Sequence, residues 1–521
     1  MTTYQQGLHI VVKSFVVVFG VILTLILAYA LTDHPLGYSP LLLSAITLLF
    51  LVTFYALFSK LLAIPHISDS HAKLILTLFT ISATILSMII SAALYYAPRW
   101  DHYGILFSGY HLAHARTLSE VATDSYGTFE RYLARFPQQW GGANLYRLIF
   151  LLNRFLLYVN SPHMIVSFFN TLGIQLSVIC TFHTLQILRS NKHAVFSLGV
   201  FALFLPFTFL GAAHYTHSLA MPFITGSVLL YIKYDRAVGK AEKLKLAIFL
   251  GILLALATLL VASSAIVLIA IISMCLLKCL LSQQPYKQLR FLIIPVVALL
   301  AFQSIATATF ENHVSQESLE ELQTPLEAWL MIGLSENGSF SAADARIYRA
   351  ATLEERRDLA REEWLIRLEN LGFTGFLALS IRKGAINFVD GTFQLNHFIR
   401  NDSGHQLHTY IQGSGAYFSV YAHLATAWIV ALWVVVIGSA FYSLKKYKHT
   451  LDMDQLFLLL IFFGFFLFLS FWESGSRIVL KFMPLLVLLA VLGMDTLFAK
   501  LITNGDNINE HSPKHDGQVL L

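Results

Sequence analysis

Twelve apolar runs, each close to the length of a bilayer crossing, constrain this chain more than any other feature. A helical span takes about 20 consecutive apolar residues. Runs of that kind lie near 14–32, 40–63, 74–97, 163–188, 193–212, 218–234, 246–262, 264–281, 291–309, 417–443, 454–472 and 478–499. The stretch 246–281 is too long for one helix and divides at Ala262-Ser263-Ser264. Of all 521 residues, 56% are apolar and 12% charged, whereas soluble globular chains carry roughly a quarter charged residues. The expected fold is all-α: a polytopic membrane protein of about 12 transmembrane helices, with two large extracytoplasmic loops containing interface helices.

The basic residues set the orientation. With the N-terminus placed in the cytoplasm, the inside turns carry Lys60 and Lys73, then Arg189 and Lys192, then Lys233, Arg236, Lys240, Lys243 and Lys245. Lys287 and Arg290 follow, and last Lys445, Lys446 and Lys448. The turns 33–39, 213–217 and 262–264 hold no Lys or Arg. That contrast follows the positive-inside rule, and both termini are expected in the cytoplasm of a multi-pass plasma-membrane protein. The segment 145–159 tests the scheme, because counting it as a span inverts every later turn. It is short and contains Arg147 and Arg154, and a charge at mid-bilayer costs at least ~2.5 kcal/mol. It is read as an amphipathic helix in the outer interface, with its arginines reaching water.

Two large regions then face out, 98–162 and 310–416. Residues 1–73 are read as two additional N-terminal helices and 74–309 as the membrane core. The C-terminal helices occupy 417–500, followed by a polar tail over 501–521 that is expected to be disordered. In the second outside region Thr352 and Glu355 form a capping box. The charged helix it opens stops at Gly372, and a second interface helix ends at an Asp390-Gly391 turn. The net charge of +5 says little about nucleic acid, and none is expected as a partner. Cys180, Cys275 and Cys279 all sit in apolar runs, as packing residues do. No cleavable signal peptide is expected. No internal repeat supports a duplicated transporter.

Loops as long as 98–162 between membrane helices are usually functional. Asp101 lies about one turn past the third run, where a fixed carboxylate serves as a general base. The alternative is a solvated helix-end residue paired with Arg99. Arg131 and Arg135 are spaced i,i+4 ahead of a Pro137 turn, and arginine forks suit phosphate. Headgroup anchoring is the competing reading. Asp124 is a candidate second acid. The turn His214-Tyr215-Thr216-His217-Ser218 offers hydrogen bonds to a sugar or a phosphate, or is only a polar connection. Glu473 and Arg477 join the last two spans and either pair with each other or face the substrate. His111 and His114 are spaced i,i+3, a weak metal signal in a chain with 20 His. No metal site or obligatory cofactor is expected, although a metal ion is left open.

These residues, taken in order, resemble the GT-C membrane glycosyltransferases. They are most similar to Gram-positive relatives of the polyprenyl-phosphate-sugar-dependent glycosyl- and mannosyltransferases. The likeness rests on Asp101 and on Tyr132-Leu133-Ala134-Arg135-Phe136-Pro137-Gln138-Gln139-Trp140-Gly141. Met331-Ile332-Gly333-Leu334, Phe388-Val389-Asp390-Gly391-Thr392, and Glu473 with Arg477-Ile478 and Pro484 complete it. The sequence departs from the pattern at Ile478, where Tyr is usual, and at His217, where Asp is common. It also has Val261-Ala262-Ser263-Ser264 in place of a Lys-Pro pair. The resemblance implies an extracytoplasmic transferase with Asp101 as base. Arg131, Arg135, Gln138, Tyr215, His217, Glu473 and Arg477 would then contact the donor phosphate or substrate. Its partners would be a sugar on undecaprenyl phosphate, a surface glycan acceptor such as a teichoic acid or wall polysaccharide, and the membrane lipid. A glycan polymerase or ligase and a lipid-linked glycan flippase are the alternatives. The near absence of charges within the spans weighs against the flippase.

Overall fold

The computed structural model describes residues 3–503, except 34–35, 95–97, 99, 124–125, 282–289, 342–343, 346, 348–349, 351, 399–404 and 447–451. Asp124 and residues 504–521 lie outside the described residues, while 501–503, expected as the start of the tail, end the last helix, Met483–Thr503. The chain is an all-α, polytopic membrane protein. Among the described residues the only strands are a two-residue pair, Ala122–Thr123 with Gly127–Thr128.

Ten described helices are long and apolar enough to cross a membrane. The other two expected spans are also helical but differ in kind. The run 193–212 is broken into Asn191–Ala202 and Leu205–Phe209. Pro206 explains the break: its ring clashes with the carbonyl four residues back, and that residue, Ala202, is where the first helix ends. The run 218–234 becomes the 21-residue helix Thr216–Arg236, whose buried face carries His217, Ser218, Thr225 and Ser227. Between Lys240–Leu260 and Ala265–Leu281 the chain turns through Ala262–Ser264.

Side-chain contacts sort the connections onto two ends of the bundle. At one end Tyr38 reaches Asp390, His102 stacks on Tyr215, and Arg477 acts on Asp101. The turns 33–39 and 213–217 therefore share a face with both long loops. At the opposite end Arg189 pairs with Asp452 and Asp495, Arg236 with Asp454, and Lys278 with Asp235. The segment 145–159 does not cross between these ends. It continues the Trp140–Leu152 helix into a π-turn, Asn153–Leu157, and closes at Tyr158 with φ 53°. Arg154 turns back to donate to the Ala113 carbonyl at 3.4 Å.

The second long loop is organised by the Leu353–Val389 helix. Thr352 Oγ1 accepts from Glu355 N at 3.1 Å at its start. Gly372 (φ 57°, ψ −173°) breaks it into two rods, a conformation that only glycine adopts without strain. The first rod buries Arg356, which donates to the carbonyls of Glu320, Glu321, Gln323 and Ala350. The second rod crosses the ends of the first and penultimate spans. Gly384 lies against Ile26, and Phe376 meets Phe471 with ring centroids 4.9 Å apart.

Candidate active site

Asp101 sits in the first turn of the Trp100–Ala113 helix, where the positive end of the helix dipole favours a carboxylate. The helix is held by two glycine contacts. A Cβ on Gly109 would lie 2.6 Å from the Ala143 carbonyl oxygen, and one on Gly104 would lie 2.4 Å from the Tyr132 ring. Tyr132 is fully buried. It comes from the short Phe129–Arg135 helix, which Thr128 caps by accepting from Arg131 N. Its hydroxyl donates to the Asp101 carbonyl oxygen at 3.2 Å.

Two further strips of chain complete the recess. The first is the start of the Thr216–Arg236 helix. Ser218 Oγ accepts from Tyr215 N at 3.2 Å and donates to Tyr215 O at 2.9 Å. Tyr215 then stacks on His102, centroids 4.2 Å apart and planes 3° from parallel, and its ring lies 5.1 Å from His217. Gln139 hydrogen-bonds the Tyr215 hydroxyl. The second strip is the turn 472–477, where Arg477 donates to Glu473 Oε1 at 2.7 Å.

That turn is fixed by the second rod. Lys383 Nζ donates to the carbonyls of Gly333 (2.6 Å), Trp472 (2.7 Å) and Ser470 (3.1 Å). Gly475 N donates to Asn387 Oδ1, and Ser474 N to the Gly338 carbonyl, each at 2.7 Å. Gly333 is required here, since a Cβ would meet the Phe471 carbonyl oxygen at 2.0 Å. The Met331–Leu334 element thus forms a seat for the turn.

Burial pushes the Asp101 carboxyl above its ordinary range; the Arg477 guanidinium pulls it back, and Glu473 pushes it up again. Burial, and after it the Asp101 charge, also raises the Tyr132 and Tyr126 hydroxyls. Both phenols therefore remain protonated at neutral pH. The recess combines two carboxylates, Asp101 and the Arg477-paired Glu473, with two arginine forks and several neutral hydrogen-bonding groups. That set suits removal of a proton from a hydroxyl next to an anionic group.

The structure brings Asp101, Arg135, Tyr215, His217, Glu473 and Arg477 toward this recess, with Arg135 and Arg477 both acting on Asp101. Arg131 is placed differently. It makes a two-pronged pair with Glu321 at 2.6 and 2.9 Å, tying the first long loop to the second. Gln138 is exposed, and its neighbour Gln139 faces Tyr215 instead. The register of the short Pro137–Gln139 turn decides between them, and sequence alone does not fix it. His102, Tyr126 and Lys383 were not singled out in the sequence. The Trp-Asp-His order at the loop start was the available signal for His102. His114 Nδ1 lies 2.8 Å from the Tyr110 carbonyl of its own helix, and His111 packs on Phe129 at 5.0 Å. Among the described residues no three or more His, Cys, Asp and Glu side chains converge as a metal site.

A surface pair such as Arg131–Glu321, with side chains 38% and 51% exposed, contributes up to about 1 kcal/mol. Arg131→Ala is therefore expected to lower the melting temperature only slightly and to leave substrate affinity near wild type. A large loss of affinity in a ligand titration would place Arg131 in the site after all.

A family model described as "conserved hypothetical integral membrane protein" matches residues 8–498. The chain belongs to this family. No curated protein matches this family member in sequence. Among solved structures it is similar to the archaeal oligosaccharyltransferase AglB from Archaeoglobus fulgidus in complex with an inhibitory peptide and a dolichol-phosphate. That match has 14% identity and a TM-score of 0.40, covering 83% of this chain and 52% of that one. A second structure of the Archaeoglobus fulgidus oligosaccharyltransferase, with Zn and sulfate, matches at 16% identity and a TM-score of 0.45. It covers 80% of this chain and 49% of the other. The chain spans about half the length of the solved structures it matches.

Proposed function

We propose that this membrane protein is a GT-C-type glycosyltransferase that moves a sugar from a polyprenyl-phosphate donor to a hydroxyl of a surface glycan or lipid-linked glycan. The loop face is the extracytoplasmic face. The carrying observation is the convergence of Asp101 with Arg477 in one recess. These residues stand near opposite ends of the chain, and each is supported by its own scaffold of buried hydrogen bonds.

Asp101 takes the proton from the acceptor hydroxyl as that oxygen attacks the sugar's anomeric carbon. The bond from this carbon to the phosphate oxygen breaks, and the lipid phosphate leaves with the electron pair. Arg477 and Arg135 stabilise the negative charge that collects on the departing phosphate. Tyr215, Gln139 and His217 hydrogen-bond the sugar. The reaction inverts the anomeric centre, because a single displacement has no covalent intermediate.

The test is transfer from radiolabelled undecaprenyl-phosphate sugars in membranes carrying the wild type or Asp101→Asn. Label entering glycan with the wild type alone supports the reading. Absence of transfer from every monosaccharide donor, together with binding of a lipid-linked oligosaccharide, refutes it in favour of a polymerase or ligase.

Arg477→Lys separates charge from geometry. Lysine keeps the charge but loses the two-pronged fork and the 2.7 Å bond to Glu473. Apparent donor affinity is expected to fall by about tenfold, one good charge-assisted hydrogen bond. An unchanged donor titration would remove Arg477 from the phosphate site.

A further inference from the structure

The kink at Gly372 leaves a groove of about 390 Å³ lined by Tyr29, Leu334, Leu371, Ala378 and Leu379, with Arg382 and Glu336 among its polar members. Volumes of this size hold small ligands or headgroups. The groove is separate from the Asp101 recess. Lys383, the next residue, points its ammonium at the turn 472–477, and successive helical residues project about 100° apart.

Two observations say what the groove is for. The first is Arg382, whose Nε is buried without a hydrogen-bond partner. Glu336 is 3.9 Å from Nη1 and 85% exposed, and the Arg382 side chain as a whole is 35% exposed, so only Nε is shut off from water and the ion pair is too loose to satisfy the guanidinium. A buried donor left unmatched is costly unless a ligand completes it. The second is position. Tyr29 lies one turn from the end of the first span, His9–Thr32. Phe376 of the second rod packs against Phe471, the last residue of the penultimate span. The groove therefore opens where the hydrocarbon ends and headgroups begin. Beside it Phe373 is 81% and Leu377 44% exposed, an apolar surface suited to acyl chains.

We propose that this groove binds the phosphodiester headgroup of an anionic glycerophospholipid from the leaflet meeting the loop face. The phosphate sits on Arg382 and the first acyl methylenes run along Leu371, Ala378 and Leu379. Its place where the first and penultimate spans end, beside the exposed Phe373 and Leu377, makes the occupant a bilayer lipid. Bound there, it braces the kinked helix just before Lys383 and Asn387, which hold the turn 472–477. The proposal does not depend on the transferase reading.

The experiment is native mass spectrometry of the detergent-purified full chain with phosphatidylglycerol, with diacylglycerol of the same tails, and with free glycerol phosphate. Wild type is expected to retain a phosphatidylglycerol adduct about tenfold more than diacylglycerol. Arg382→Ala should bring retention down to the diacylglycerol level, and Arg382→Lys should restore part of it. Ala378→Trp should displace lipid by filling the groove, and it decides the matter if Arg382→Ala does not fold. Equal retention by wild type, Arg382→Ala and Ala378→Trp overturns the site. Displacement of the lipid by millimolar glycerol phosphate overturns the lipid as occupant, since the groove would then read the phosphate alone.

Discussion

Asp101→Asn is expected to give a folded protein that binds donor and transfers sugar at least about a hundredfold more slowly. A positioned general base contributes roughly 10²–10⁴ in rate, and asparagine removes the base while keeping the shape. The main-chain bond from Tyr132 to the Asp101 carbonyl oxygen survives the change, as do the glycine contacts that seat the helix. Stability should rise slightly if it changes at all, because burial disfavours the ionised carboxylate. Donor binding should persist, since Arg477 and Glu473 remain. Full transfer activity in the folded variant would remove the assigned role.

The raised Asp101 carboxyl gives this experiment a second readout. On the proposed mechanism the base works only when ionised, so activity is expected to fall with decreasing pH on a limb above the ordinary carboxylate range. The stability contribution has the opposite sign. A carboxyl that binds its proton more tightly folded than unfolded favours the fold below the unfolded value of about 3.9, and that gain disappears as pH rises through the raised folded value. Arg477→Gln should move the acid limb further up, because Arg477 is the largest influence holding the carboxyl down. An acid limb that ignores Arg477→Gln would mean the two groups do not sense each other.

How much of this was legible in the sequence depends on what kind of information each feature carries. Apolar runs are local, and Pro40–Ala63 begins and ends where the run at 40–63 does. The break before Pro206 is equally local but is masked in the hydropathy pattern, because residues on both sides of it are apolar. Gly372 was readable, since a helix stop is written in its own residues. The candidate site is different in kind. Arg131 and Arg135 share a helix face by spacing, yet Glu321 captures one of them, and nothing near Arg131 announces that partner. Asp390 was quoted only as part of a turn. Its importance depends on Tyr38 and Ser476, partners from the first and last parts of the chain that only the fold brings together.

Asp390 carries the largest expected stability effect. The carboxylate is 2% exposed. Oδ1 accepts from Tyr38 OH at 3.2 Å, from Thr392 N at 2.9 Å and from Thr392 Oγ1 at 2.7 Å. Oδ2 accepts from Ser476 Oγ at 2.6 Å. Asp390→Ala leaves several buried donors without this acceptor, each costing about 1–3 kcal/mol. The total expected is on the order of 3 kcal/mol or more, large against the stability of most folds. Asp390→Asn keeps one carbonyl oxygen for Tyr38 and Thr392, and its amide can donate to Ser476, so its cost should be well below that of alanine. Thermal unfolding in detergent orders the variants as wild type, Asn, then Ala. Because Ser476 adjoins Arg477, the alanine variant should also lose donor affinity even at temperatures where it stays folded. Asp101→Asn, in contrast, should lose rate and keep affinity. An alanine variant that melts with the wild type would show that the four bonds contribute little, and that the turn 472–477 is positioned by Lys383, Asn387 and Gly338.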